Sequence, residues 1–229
     1  MRLALAVALC CLGSVAHAGE IRGVVTFTGE APARAKVDRT ADPKCPQDAL
    51  AEDVVVTNGK LQDVHVRVVK GPKRALDREF EVPGPVVITQ DGCRYTPRVS
   101  GALRGQQLEV RNADPTFHNV RGTAGESVAF NLPQPAKGKP IVRDLDGTSP
   151  VIALHCDVHP WMAAWVVVSD HPYFAVTAAD GSFTLTGLEP GSYVLEAWHP
   201  TLGTKTVKVK VPKGKRAARA KLAFKAAKS

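Results

Sequence analysis

The sequence predicts an all-β protein built from two β-sandwiches. Short runs rich in Val, Ile, Thr and Phe recur roughly every ten residues beyond residue 20, separated by Gly, Pro, Asn and Asp. Sustained helical periodicity is missing, and only residues 44–52 and 74–80 are candidates for a helical turn. Composition changes after residues 170–172, Asp-His-Pro, which predicts one unit at 19–169 and a smaller one at 170–229.

The first unit contains nine predicted strands. Residues 57–60, Thr-Asn-Gly-Lys, carry a two-residue hairpin signal between two of them. Residues 165–168 are wholly apolar, which favours an interior strand that closes the unit. The predicted strands are 21–28, 53–57, 61–69, 86–90, 107–112, 118–121, 127–131, 151–156 and 163–169.

The second unit contains five short strands separated by turn sequences such as Ala-Asp-Gly at 179–181 and Glu-Pro-Gly at 189–191. A unit this small is expected to pack against the first one rather than fold alone. The predicted strands are 174–177, 182–186, 192–197, 204–211 and 217–225.

The N-terminus has the features of a secretory signal peptide. Met1 and Arg2 precede an apolar run at 3–12, and Ala-His-Ala at 16–18 predicts cleavage after residue 18. The apolar run is too short to span a bilayer, so no integral membrane segment is expected. Cys10 and Cys11 leave a lipoprotein as an alternative. We therefore expect an exported, periplasmic protein.

The formal net charge is +8 at pH 7. A basic exported protein tends to meet acidic partners or an anionic surface, and its compartment disfavours nucleic acid. The alternative is that the Lys and Arg residues only keep a β-protein soluble.

Five cysteines are present, and two of them, Cys10 and Cys11, lie in the signal peptide. Assigning Cys156 to a metal leaves Cys45 and Cys93. An even pair in an oxidising compartment predicts a disulfide between them.

Two short segments supply a candidate ligand set. Residues 154–162 read Leu-His-Cys-Asp-Val-His-Pro-Trp-Met, and residues 114–120 read Asp-Pro-Thr-Phe-His-Asn-Val. Together they provide Cys156, His159, Met162 and His118. Two His and one Cys with a weak Met form the ligand set of a mononuclear electron-transfer copper site. Zinc would accept the first three, but a thioether is a poor ligand for it.

This ligand loop resembles that of amicyanin and the plastocyanin-like small blue copper proteins. The shared patterns are Cys-x-x-His-Pro-aromatic-Met at 156–162 and His-Asn-Val at 118–120. The resemblance implies a cupredoxin-like Greek-key β-sandwich with one Cu(I)/Cu(II) ion. It makes His118, Cys156 and His159 in-plane ligands and Met162 the axial ligand. Asn119 would lie just outside them and tune the Cys sulfur by hydrogen bonding.

The second unit resembles the carboxypeptidase regulatory-like (prealbumin-like) β-sandwich, through Ala-Asp-Gly-Ser-Phe at 179–183 and Leu-Glu-Pro-Gly-Ser-Tyr at 188–193. With both modules, the chain looks like exported bacterial proteins labelled methylamine-utilisation or plastocyanin-like.

Three other histidines have simpler interpretations. His65 alternates with valines and is expected to be exposed, while His155 lies on the opposite strand face from Cys156. His199 stays open as an additional metal contact.

The leading hypothesis is a periplasmic type 1 (blue) copper protein that carries single electrons. Its redox partner would dock near His159 with an acidic surface. No enzyme signature is present, because nucleophile elbows, HExxH and phosphate-loop motifs are all missing. The alternatives are copper delivery without redox turnover, and an envelope interaction module with structural copper.

Overall fold

A computed structural model describes residues 19–147, 149–214 and 216–226; the predicted signal peptide, with Cys10 and Cys11, lies outside them. Within these ranges the protein has eighteen strands and one four-residue helix, α1 at Lys73–Leu76, which confirms the all-β class. No helix among the described residues is long and apolar enough to cross a membrane. The strands are β1 Gly19–Thr28, β2 Val56–Thr57, β3 Lys60–Leu61, β4 His65–Lys70, β5 Val86–Gln90, β6 Tyr95–Thr96, β7 Val99–Leu103, β8 Gln107–Asn112, β9 His118–Ala124, β10 Ser127–Gln134, β11 Ile141–Asp144, β12 Val151–His155, β13 Ala163–Ser169, β14 Phe174–Val176, β15 Ser182–Leu188, β16 Gly191–His199, β17 Gly203–Val211 and β18 Ala218–Lys225.

Strands β5–β13 form one sandwich, which we call the inserted sandwich. Its five-stranded sheet has the order β10-β9-β12-β13-β7, and its four-stranded sheet has the order β11-β8-β5-β6. Strand β13 lies between β12 and β7, so the apolar run at 165–168 is an interior strand as predicted. The core between the sheets includes Ile88, Leu108, Val120, Leu154 and Val166.

The remaining strands form a second sandwich from both ends of the chain, which we call the terminal sandwich. One sheet has the order β15-β1-β3-β2 with β18 also paired to β1, and the other has the order β14-β4-β16-β17. Strands β1 and β18 run parallel in register from Ile21↔Ala218 to Thr28↔Lys225. Along β18, buried and exposed residues alternate strictly, which is the pattern of a strand with one face on a core.

The terminal sandwich differs from the sequence expectation. We expected residues 21–28, 53–57 and 61–69 in the first unit, because they precede the candidate ligand segments without a break in composition. Instead β1 pairs with β15 and β18, and β4 pairs with β14 and β16. Strands of both sandwiches have the same alternation of apolar and polar residues. Local sequence therefore does not show which distant strand each one pairs with. The inserted sandwich therefore interrupts the terminal one.

Local predictions are partly met. Strands β2 and β3 form the expected hairpin, with Asn58 and Gly59 at φ 51° and 71°, the left-handed conformations that this turn requires. The helical turn predicted at 74–80 is α1, and residues 44–52 contain no helix.

The two sandwiches touch through a small junction. A Cβ at Gly101 of β7 would lie 2.4 Å from the Phe174 ring and 3.0 Å from Nε2 of His65, so only glycine fits there. Arg98 packs over Trp165 at 4.7 Å and forms a 3.5 Å ion pair with Asp53.

Residues 36–52, here called the strap, connect β1 to β2 but cross to the inserted sandwich. The strap's base is closed by the bridge Lys36↔Leu50. The structure contains the disulfide predicted between Cys45 of the strap and Cys93, with a Cα–Cα distance of 5.5 Å. Cys45 lies in the core of the inserted sandwich. The strap is thus a covalently tethered loop.

Candidate metal centre

Three donor atoms from two segments meet inside the inserted sandwich. The Sγ atom of Cys156 lies 3.8 Å from Nδ1 of His118 and 3.7 Å from Nδ1 of His159. The two Nδ1 atoms are 2.9 Å apart. All three side chains are at most 2 % exposed. They form a candidate metal-binding group, with their donor atoms within 4.8 Å of one another.

Two of the three distances between the donor atoms match those expected around a small divalent ion. Imidazole nitrogens at about 2.0 Å and a thiolate at about 2.3 Å from a trigonal metal give N···S separations of about 3.7 Å and an N···N separation of about 3.5 Å. The observed N···S distances agree with this geometry. The N···N distance is shorter and has the length of a hydrogen bond between the two rings. The residues therefore fit copper with only a small separation of the rings.

Local structure explains why these side chains converge. His118 is the first residue of β9, and Cys156 directly follows β12, which pairs with β9. A turn then returns the chain over the same point, closed by the hydrogen bond from the Met162 N–H to the His159 carbonyl at 2.9 Å. Met162 is 1 % exposed and lies in the same core as Cys156.

Each imidazole is held from its outer nitrogen by a carboxylate. Nε2 of His118 lies 2.9 Å from Oδ2 of Asp114, and Nε2 of His159 lies 3.0 Å from Oδ2 of Asp42. Asp114 is itself fixed, since it accepts the backbone N–H groups of Gly92 and Cys93. Both rings therefore direct Nδ1 towards the sulfur, as metal-binding histidines with carboxylate partners do.

The hydrogen bonds assign the protons of the metal-free centre. Burial opposes charge on His118, but Asp114 and Cys156 outweigh it and raise its pKa to about 9. Burial, together with the neighbouring His118, lowers the pKa of His159 despite its contact with Asp42. Both outer nitrogens contact carboxylates, so the 2.9 Å contact between the two Nδ1 atoms shares one proton, and the raised pKa of His118 favours that ring as its donor. A metal ion bound by both Nδ1 atoms and the sulfur would displace this proton and the thiol proton of Cys156.

The thiol of Cys156 is prepared for deprotonation. Burial alone would raise its pKa, but a hydrogen bond with His118 and backbone N–H groups, including that of Asn119, hold it below the ordinary value. Oδ1 of Asn119 also lies 3.4 Å from the sulfur and accepts the Asp157 N–H at 2.6 Å. The Asn119 amide nitrogen donates to Asn131 and Asp157. Asn119 thus contacts the Cys156 sulfur and connects β9 to the segment that follows it.

The structure does not bring the other histidines to this centre. His155 contacts Trp165 edge-on at 6.5 Å between ring centroids, and His199 lies in the terminal sandwich beside Phe224. Neither belongs to a candidate metal-binding group among the described residues. His65 is fully buried rather than exposed, because β4 has the inserted sandwich against it.

Sequence reasoning missed the two carboxylates. Asp114 precedes His118 by four residues within the motif itself, and that spacing was the available signal. Asp42 carries no local signal, since the disulfide and the strap bring it to His159 from 117 positions away.

A family model for the β-sandwich domain of ER membrane protein complex subunit 7 matches residues 159–229. This match contains β14–β18 of the terminal sandwich but none of β1–β4, which complete it. No curated protein sequence matches the chain.

Structural neighbours include cupredoxins. A mutant amicyanin in its reduced form aligns at 24 % identity with a TM-score of 0.34, over 38 % of this chain and 83 % of its own. The purple cupredoxin of Nitrosopumilus maritimus aligns at 23 % identity with a TM-score of 0.32, over 36 % of this chain and 98 % of its own. A copper-containing nitrite reductase of Thermus scotoductus aligns at 19 % identity with a TM-score of 0.33, over 42 % of this chain and 25 % of its own. These partial alignments add no information on function, and the all-β architecture rests on the sheets themselves.

Proposed function

We propose that this chain is an exported, non-enzymatic type 1 copper protein that carries single electrons between periplasmic partners. One observation supports the proposal above the others. The Nδ1 atoms of His118 and His159 and the Sγ atom of Cys156 converge in a buried triangle in which both N···S distances fit a bound metal ion. Two imidazoles and one thiolate are the in-plane ligands of such a site, and copper is the ion whose valence would alternate there.

The rigidity of the site favours electron transfer over copper delivery. Both ligand rings are held at their outer nitrogens, and the sulfur is held by Asn119 and the two rings. Ligands that cannot rearrange keep the geometry of the site nearly the same in Cu(I) and Cu(II), which favours rapid electron transfer. Copper delivery requires ligands that release the ion readily, such as those of open, Met-rich segments. The chain contains only two methionines, one of them Met1.

We assign Met162 as the axial ligand. It lies in the ligand turn and is buried in the core that contains Cys156. A thioether at this position favours copper over zinc, which prefers nitrogen, oxygen and thiolate ligands.

The docking surface for a redox partner would lie beside the ligand rings rather than on His159, whose ring is 1 % exposed. Phe117 and Val158 each precede a ligand histidine and are 44 % and 52 % exposed. We propose that these two exposed side chains, each next to a ligand histidine in sequence, belong to that docking surface. The net charge of +8 favours an acidic partner.

The test is the spectrum and reduction potential of the copper-loaded protein without its signal peptide. We expect intense visible thiolate-to-copper absorption that Cys156→Ser abolishes, and reversible one-electron behaviour. Met162→Leu should keep copper and raise the potential. A colourless, redox-silent copper protein would exclude the electron-carrier function, and an unchanged potential in Met162→Leu would exclude axial ligation.

A further inference from the structure

The strap is anchored on the inserted sandwich by a buried arginine as well as by the disulfide. Arg39 is 2 % exposed, and its guanidinium donates to the carbonyl oxygens of Gly92 and Cys93 at 2.9 and 3.3 Å. The same group lies 5.3 Å over the ring of Trp161, in the ligand turn. Burying an arginine is costly, and here three carbonyl acceptors, including that of Pro46, and the Trp161 ring offset part of the cost, although Nε has no partner among the described residues.

Between these anchors the strap places one carboxylate on a metal ligand. Oδ2 of Asp42 lies 3.0 Å from Nε2 of His159 and accepts the Thr116 hydroxyl at 2.7 Å. Oδ1 of Asp42 accepts the Lys44 N–H at 2.9 Å. The hydrogen bond from Thr116 is the main cause that keeps the pKa of Asp42 below its ordinary value. Both carboxylate oxygens are therefore occupied, and the carboxylate is fixed in direction.

The strap also covers the ligand ring. The sulfur atoms of Cys45 and Cys93 and a ring nitrogen of His159 lie within 4.8 Å of one another, so the disulfide packs against the imidazole. Trp161 covers the ring from another side, with centroids 5.1 Å apart. His159 is buried although it lies in a surface turn, because strap residues contact it.

We propose that Asp42 is a positioning residue of the metal centre and that the strap closes the His159 edge against solvent. An Nε2–H donated to Asp42 leaves the lone pair of His159 on Nδ1, facing Cys156. A carboxylate on the outer nitrogen also makes Nδ1 a stronger donor, which stabilises Cu(II) relative to Cu(I). This inference rests on the proposed function. It adds to the metal centre a residue of the strap, which connects β1 and β2 of the terminal sandwich.

The chain offers a matched control for the test. Asp42→Asn keeps the shape and one oxygen acceptor but removes the charge. Asp48→Asn removes the same charge from an exposed position of the same strap. We expect Asp42→Asn to weaken Cu(II) binding about tenfold or more, measured by competition with a chelator, and to raise the reduction potential. Asp48→Asn should match the wild type in both measurements.

A second measurement does not need copper. In the metal-free protein, nitrogen NMR of labelled histidine reports which ring nitrogen of His159 carries the proton. We expect the Nε2–H tautomer alone in the wild type and in Asp48→Asn, and a mixture of tautomers in Asp42→Ala. If Asp42→Ala is too unstable to measure, Thr116→Val provides a milder change, since it removes only the donor that fixes Asp42.

Closure by the strap is tested by the rate at which a chelator removes copper. The double variant Cys45→Ser/Cys93→Ser should lose copper faster than the wild type, because the strap is no longer tethered. Equal rates would overturn the closure. The positioning role would be overturned if Asp42→Asn matched Asp48→Asn in copper affinity and potential, or if Asp42→Ala kept the Nε2–H tautomer alone. If the wild type binds no copper, the proposed function fails, and the tautomer measurement alone decides whether Asp42 positions His159.

Discussion

Each sandwich buries two histidines, and the surroundings of the two pairs differ. In the inserted sandwich, His118 and His159 each have a carboxylate at the outer nitrogen and a thiol near the inner one. In the terminal sandwich, His65 stacks on Phe174 at 5.4 Å, and neither ring nitrogen has a hydrogen-bond partner among the described residues. His199 accepts only backbone N–H groups at Nδ1.

The pKa values follow this difference. Burial lowers the pKa of His65 to about 3 and that of His199 to about 4, whereas the pKa of His118 rises to about 9 against the same effect. Burial of a histidine is therefore not a sign of a metal site. The histidines of the candidate metal centre differ from ordinary core histidines in two ways. A carboxylate orients each ring from Nε2, and a thiol lies near Nδ1.

The largest expected effect is the stabilisation of the folded protein by copper, which should depend on the histidines of the inserted sandwich alone. Copper at about 1,000 times its dissociation constant should stabilise the folded protein by about 4 kcal/mol. We expect His118→Ala to abolish the copper-dependent rise in melting temperature and His65→Leu, the matched control in the terminal sandwich, to keep it. Thermal unfolding with and without copper measures both. Loss of the rise in His65→Leu would show that the terminal pair contributes to metal binding.

The next effect is the loss of stability of the metal-free protein as the pH falls. His65 has a folded pKa of about 3, so the unfolded chain binds its proton first. Its contribution to stability is complete above its unfolded pKa of about 6.5 and is lost as the pH falls below that value. Between pH 7 and 5 the loss should be about 2 kcal/mol. His65→Leu should flatten this part of the stability profile, measured by denaturant unfolding at several pH values. The same slope in both proteins would contradict the buried, neutral state of His65.

The smallest effect tests whether the junction between the sandwiches matters to the site. Gly101→Ala would press a methyl group against Phe174 and His65, and we expect a loss of about 1 kcal/mol or more in stability. Gly84→Ala is the control, because a Cβ there meets nothing within 4 Å. Neither residue touches the ligands, so copper affinity should not change. Weaker copper binding in Gly101→Ala alone would mean that the terminal sandwich supports the site through the junction as well as through the strap.

Local sequence patterns predicted those features that depend on neighbouring residues. Alternation predicted most strands, and Asn-Gly at 58–59 predicted the hairpin. Cys156 and His159 are three residues apart, so one turn is enough to bring their side chains together. The disulfide followed from counting cysteines.

Long-range pairing was outside the reach of those patterns. The alternation of β1 is satisfied equally well by either sandwich, and its true neighbours include a strand at the opposite end of the chain. His65 was expected to be exposed because alternation gives one face of β4 to solvent, yet the inserted sandwich covers that face. Asp42 looked like any acidic loop residue, since its role depends on where the strap is fastened.

The parallel pairing of β1 with β18 sets an order in which the molecule can assemble. All nine strands of the inserted sandwich have been synthesised by Ser169, whereas β1 gains its partner β15 only at Ser182–Leu188 and its partner β18 only at Ala218–Lys225. Chains fold by units as they become available, and contacts distant in sequence form slowly. We therefore expect the inserted sandwich to fold first. The terminal sandwich would then be completed around it, once its C-terminal strands have been synthesised.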